Sequence, residues 1–74
     1  SSVPQVLHVR RIRSRFDGKY LSADVVIVVD SQLSTAASHQ VADKVEQVLV
    51  SEFNVQDTLV HVEPANIESN THSQ

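Results

Sequence analysis

Between Tyr20 and Asp30 (YLSADVVIVVD) apolar and small side chains alternate, with Leu21, Ala23, Val25, Ile27 and Val29 on one side and Tyr20, Ser22, Asp24, Val26 and Val28 on the other. The stretch is dense in β-branched residues, which fit a pleated, half-buried surface, so it predicts a strand whose first set faces a core. Val6 to Phe16 (VLHVRRIRSRF) predicts a second strand, and Asp17-Gly18 between the two predicts a tight hairpin that makes them antiparallel. A two-residue turn at Asp17-Gly18 would set Arg11 directly across from Asp24. The period then changes. Ser34 is a good helix cap, and Ala37, Val41, Val45, Val48 and Leu49 recur along one helical stripe, predicting a helix that ends near residue 53. Thr58 to Glu63 (TLVHVE) alternates again and stops at Pro64, which has no N–H for a ladder. The remainder, ANIESNTHSQ, is polar, so the expected organisation is one domain over 1–64 and a loose tail over 65–74.

Strand, strand, helix, strand is an α+β order, in which the last three elements make a right-handed crossover between parallel strands of a three-stranded mixed sheet. One helix does not cover such a sheet. Either a helix precedes residue 1 or a second subunit shares the exposed face. With 74 residues, the core is thin and oligomerisation is expected. No apolar run approaches the roughly 20 residues needed to cross a bilayer. Cysteine is absent, which excludes disulfides, thiolate nucleophiles and sulfur-rich zinc sites, so a metal would have to be held by His and carboxylate. The net charge of -3 is uneven: residues 1–19 carry Arg10, Arg11, Arg13, Arg15 and Lys19 against Asp17, whereas residues 20–74 are acidic apart from Lys44. Nucleic acid is not the expected partner, because the basic run has only Phe16 beside it for stacking and the rest of the chain would repel phosphate.

In the last predicted strand Val60 and Val62 match the core side, which leaves Leu59, His61 and Glu63 on the same face as Asp24. Adjacent strands lie about 4.8 Å apart, so Asp24, His61 and Glu63 can converge there. Imidazole nitrogen with carboxylate oxygen suits Zn²⁺, Mn²⁺ or Fe²⁺. The competing reading of Asp24 is a cross-strand salt bridge to Arg11. His39 falls on the helix side away from the Val41 stripe, with Asp43 and Glu46, as a ligand or as part of a solvated polar face. His8 and His72 are weaker candidates, in a strand and in the polar tail respectively.

Several motifs together resemble one family. A Val-containing first strand ends in Arg-x-Arg (Ile12-Arg13-Ser14-Arg15), a turn at Gly18 leads to an apolar strand ending at Asp30, and Ser38-His39 opens a helix continuing Ala42-Asp43-Lys44-Val45-Glu46. The closing element is His61-Val62-Glu63-Pro64. Over residues 3–64 this resembles the cytosolic C-terminal domain of the cation diffusion facilitators, a family of divalent metal transporters. The resemblance implies an open, ferredoxin-like or metallochaperone-like αββαβ layer whose leading helix lies outside this chain. It also implies a homodimer beneath the transmembrane domain of a zinc, iron or manganese exporter, on the cytoplasmic side of a membrane, with the transported ion bound at the subunit interface. Carried over by position, the implied ligands are Asp24, His39, His61 and Glu63. In family members with a two-metal zinc site a further His often stands in the first strand, where this chain has Arg10. Ala23-Asp24 resembles magnetosome-associated members, although the aromatic residue accompanying the Asp in some of them is Ser22 here.

An enzyme is not expected, because no nucleophile stands beside a base and no phosphate-binding loop is present. The favoured function is a cytosolic regulatory domain that binds divalent cation and tightens as a dimer. A protein-interaction module that dimerises without metal is the alternative.

Overall fold

The valine-rich segment predicted as a buried strand forms the centre of the sheet. The computed structural model describes residues 3–65, in the order β1 (Val6–Phe16), β2 (Leu21–Val29), α1 (Thr35–Phe53) and β3 (Asp57–Pro64). The sheet order is β1-β2-β3, with β2 antiparallel to β1 and parallel to β3. This is the expected α+β arrangement with a three-stranded mixed sheet. Val25, Ile27 and Val29 of β2 meet Val41 of α1 in the core, flanked by Val3, Val6 and the half-buried Val45, Val48, Leu49, Val60 and Val62. α1 therefore covers one face of the sheet, and the other is called the open face below.

The ends of α1 are chemically closed. Ser34 Oγ accepts from the Ala37 N–H at 3.0 Å, which satisfies one of the free donors of the first turn. At the C-terminus Asn54 adopts φ 58°, and the Val55 N–H donates to the Leu49 carbonyl at 3.1 Å in a Schellman-type closure that turns Val55 into the interior.

The hairpin differs from expectation in register. Asp17 and Tyr20 exchange backbone hydrogen bonds, so the two turn residues are Gly18 and Lys19 rather than Asp17 and Gly18. Gly18 has φ +73° and Lys19 lies outside the positive-φ region, as in a II′-type turn, which needs positive φ only at its first position. The turn at Asp17-Gly18 would have needed positive φ at a non-glycine residue as well. Moving the turn by one residue moves each partner of Arg11 to Phe16 by two, so Arg13 rather than Arg11 faces Asp24 and no side chain in that stretch changes face.

β1 has 11 residues against 9 in β2, and the difference is taken up by two irregularities in register, between Val6 and His8 and between Val9 and Arg11. Leu7 and Arg10 are thereby the inserted residues of two bulges.

Gln56, just before β3, ties the crossover to the hairpin. Its backbone N–H donates to the Leu21 carbonyl, its Oε1 accepts from the Leu21 N–H at 2.7 Å, and its Nε2 donates to the Lys19 carbonyl at 3.3 Å. At the far end the Ala65 N–H donates to the Val29 carbonyl, so the first residue of the expected tail is still joined to the sheet. Residues 66–74, including His72, lie outside the described residues.

Two stability outcomes follow from these contacts. Ile27 is 0% exposed, so Ile27→Ala should cost about 2–5 kcal/mol in urea unfolding through lost burial and a residual cavity. Gln56→Ala should cost about 1 kcal/mol in the same measurement, because its bonds to the hairpin are partly open to water.

Candidate metal-binding face

Two strands carry the acid and imidazole groups of the open face, and register decides which of them meet. Asp24 is paired with Arg13 on β1 and Leu59 on β3, and Val26 is paired with His61. Asp24 and His61 are thus diagonal neighbours, with Cα atoms roughly 8 Å apart for a strand spacing of about 4.8 Å and a two-residue rise of about 6.6 Å. Both side chains are exposed. Glu63 is one pair further along, beside Val28, and does not stand next to Asp24. Its carboxylate is taken instead by Arg10, whose Nη1 donates to Glu63 Oε1. This is the only ion pair found among the described residues, so neither Arg11 nor Arg13 is within ion-pair distance of Asp24.

His39 is exposed on α1, on the side of the sheet away from Asp24 and His61, with Asp43 one turn on. His8 is exposed and paired with Val28. The four proposed ligands consequently occupy three places: Asp24 with His61, Glu63 with Arg10, and His39 on the helix. Among the described residues no three His, Asp or Glu side chains come together as a metal site. The donor types of the first pair still suit a borderline divalent ion. One protomer supplies two of the donors that a four-coordinate site requires.

The surroundings of the pair are mixed. Exposed Arg11, Arg13 and Arg15 on β1 line one side, and a shallow groove at the hairpin end is bounded by Arg13, Arg15, Ser22, Asp24 and Asp57. Leu59 is 51% exposed and Tyr20 49%, while Val26 is half-buried. Val28, on the same side of β2 by alternation, is only 6% exposed. Sequence reasoning missed the structural parts of Arg10 and Gln56. A bulge without glycine leaves no local signature for the first, and the second depends on a contact between residues far apart in the chain.

A family model for the cytoplasmic domain of cation efflux proteins matches residues 1–65. The chain belongs to this family. It is 33% identical over 66 residues to the uncharacterised transporter YdbO of Bacillus subtilis (strain 168), covering 89% of this chain and 23% of that protein. It is 30% identical over 59 residues to the manganese efflux system protein MneS of the same organism, covering 80% of this chain and 20% of MneS. This cation efflux domain therefore spans a quarter or less of the curated relatives it matches. A solved structure of the MamM C-terminal domain superposes with a TM-score of 0.79 at 26% identity, covering 88% of this chain and 82% of that one. A nickel form of the same MamM domain gives 0.81 at 23% identity, over 86% and 82%, which bears on the fold alone. These neighbours match the ferredoxin-like layer expected from the sequence motifs. The family is one of transporter domains rather than of enzymes. Among the described residues no helix is long and apolar enough to cross a membrane.

The absence of an ion pair at Asp24 has a measurable consequence. Asp24→Ala should change metal-free stability by no more than about 0.5 kcal/mol in urea unfolding, as for other exposed positions. A loss well above that would mark Asp24 as a structural partner of Arg13.

Proposed function

We propose that this domain regulates a divalent-cation efflux transporter by dimerising and binding the transported ion between two copies of its open face. The observation that supports this best is the register that makes Asp24 and His61 diagonal neighbours on an exposed, partly apolar face while leaving the pair short of a complete site. A two-fold axis over that face would supply a second Asp24 and His61, giving two nitrogen and two oxygen donors. Leu59, Tyr20 and Val26 would be covered in the same step.

The chemistry of such a site is electrostatic. Two carboxylates brought together without a cation repel each other, and the repulsion grows as the faces close and water leaves. A divalent ion reverses the sign of that term. Metal-free dimers should be loose and loaded dimers tight, and the difference would pass to the membrane part of the transporter as a change in subunit spacing. Manganese, zinc and iron all suit these donor types, and the relative MneS is a manganese efflux protein. His39 lies too far from this pair to share its ion in the same protomer, and with Asp43 it forms a separate, weaker candidate position on α1.

Addition of Mn²⁺ or Zn²⁺ at about 100 times Kd should stabilise the fold by about 2.7 kcal/mol. For a domain of this size that is a rise in Tm on the order of 10 °C, accompanied by a shift toward dimer in sedimentation velocity. Asp24→Ala and His61→Ala should each abolish most of this gain. Dimerisation that is complete without metal, with no change in Tm on adding it, would favour the metal-independent interaction module.

A further inference from the structure

Arg10 is the residue that the second β1 bulge inserts. Register passes from Arg11 opposite Val26 to Val9 opposite Ile27, which leaves Arg10 without a partner position on β2. Its guanidinium nevertheless reaches Glu63 on β3, so the side chain crosses the whole width of β2 on the open face. Val28, the β2 residue paired with Glu63, is 6% exposed although among the described residues no helix or strand covers that face. Val28 lies between His8 on β1 and Glu63 on β3, the strand positions that the Arg10–Glu63 pair spans.

The two charged groups remain in contact with solvent, with side chains 63% and 42% exposed. Such a pair is weak and exchangeable. It also sets up a competition. The guanidinium on Glu63 Oε1 offsets the carboxylate charge and draws the group toward β1, which weakens its pull on a divalent ion, and an ion held by Asp24 and His61 repels a guanidinium on the same face.

We propose that Arg10 is a tethered competitor cation: by pairing with Glu63 it keeps that carboxylate out of the divalent-ion site and lowers the affinity of the open face for divalent metal. The bulge is what makes this possible, since a regular strand would place Arg10 on the opposite side from Arg11. The proposal rests on the reading that the open face binds the ion, and it adds that the strength of binding is set by a residue that is not a ligand.

The test is a double-mutant cycle by isothermal titration with Mn²⁺ and, separately, Zn²⁺, on the full chain, Arg10→Ala, Glu63→Gln and the double variant. Glu63→Gln alone should change the dissociation constant less than twofold. Arg10→Ala should tighten binding by about two- to fivefold or add a second binding event, and Glu63→Gln in that background should remove the gain. Arg10→Lys, which keeps the charge, should stay close to the parent chain. The proposal is overturned if Arg10→Ala changes neither affinity nor stoichiometry, or if Glu63→Gln weakens binding equally with and without Arg10. Metal-free melting curves of the four chains report whether each remains folded, and a loss of binding explained by unfolding would count against the proposal. Asp24→Ala separates the two readings: if it leaves binding intact while the Arg10 cycle behaves as expected, the competitor holds and the Asp24–His61 site does not. If the parent chain binds no ion and Arg10→Ala does, the competitor is supported outright; if neither binds, both readings fall.

Discussion

Because β2 is hydrogen-bonded along both edges, its side chains leave the sheet in only two directions, and their alternation divides the molecule. One set, Ala23, Val25, Ile27 and Val29, is buried beneath α1. The other set carries Asp24 and Val26 to the face that α1 leaves uncovered. A one-residue slip of β2 against either neighbour would exchange the two sets and place a carboxylate under the helix. The burial of Ile27 and the exposure of Asp24 are thus a single constraint. The energy that holds the core together is also what aims the candidate ligands outward.

The same alternation explains why much of the architecture was legible before any coordinates. Strand β2, the Ser34-capped helix and the closing strand each show their period without interference from distant contacts. The pairing of Asp24 with the face of His61 was legible for the same reason, since a parallel neighbour preserves parity. The hairpin register was not. Asp17-Gly18 and Gly18-Lys19 are both plausible two-residue turns, and the choice was decided by the positive φ that only Gly18 takes up. The place of Glu63 was misjudged for a different reason: its distance along β3 from Asp24 follows from register, and its partner Arg10 depends on a bulge that the run VLHVRRIRSRF does not mark. His39 was correctly placed off the core stripe, but the helix carries it to the far side of the sheet from the strand-borne pair.

A thin core and an incomplete donor set are related features of this small domain. Burying more of the open face would have required apolar residues where Asp24, His61 and Glu63 now stand. Leaving that face polar keeps it available to a cation but limits what the single chain can bury. Association through the open face, as proposed above, would relieve both limits at once. Gln56 contributes in the background, because its bonds to Leu21 and Lys19 hold the start of β3 against the hairpin and so keep Leu59 and His61 in register with Asp24.

The two bulges in β1 have a consequence for the behaviour of the chain in concentrated solution. β1 is a long outer strand with Leu7, Val9, Ile12 and Phe16 all exposed, a composition that would invite edge-to-edge stacking of many copies into fibres if the strand were flat and regular. Each inserted residue interrupts the spacing of the free N–H and C=O groups and adds local twist. A second chain laid along that edge finds the ladder broken at Leu7 and Arg10, and over the regular stretch from Arg11 to Phe16 the exposed Arg11, Arg13 and Arg15 add a repulsion between like strands. The irregularity that directs Arg10 across the sheet therefore also protects an otherwise adhesive border from open-ended polymerisation.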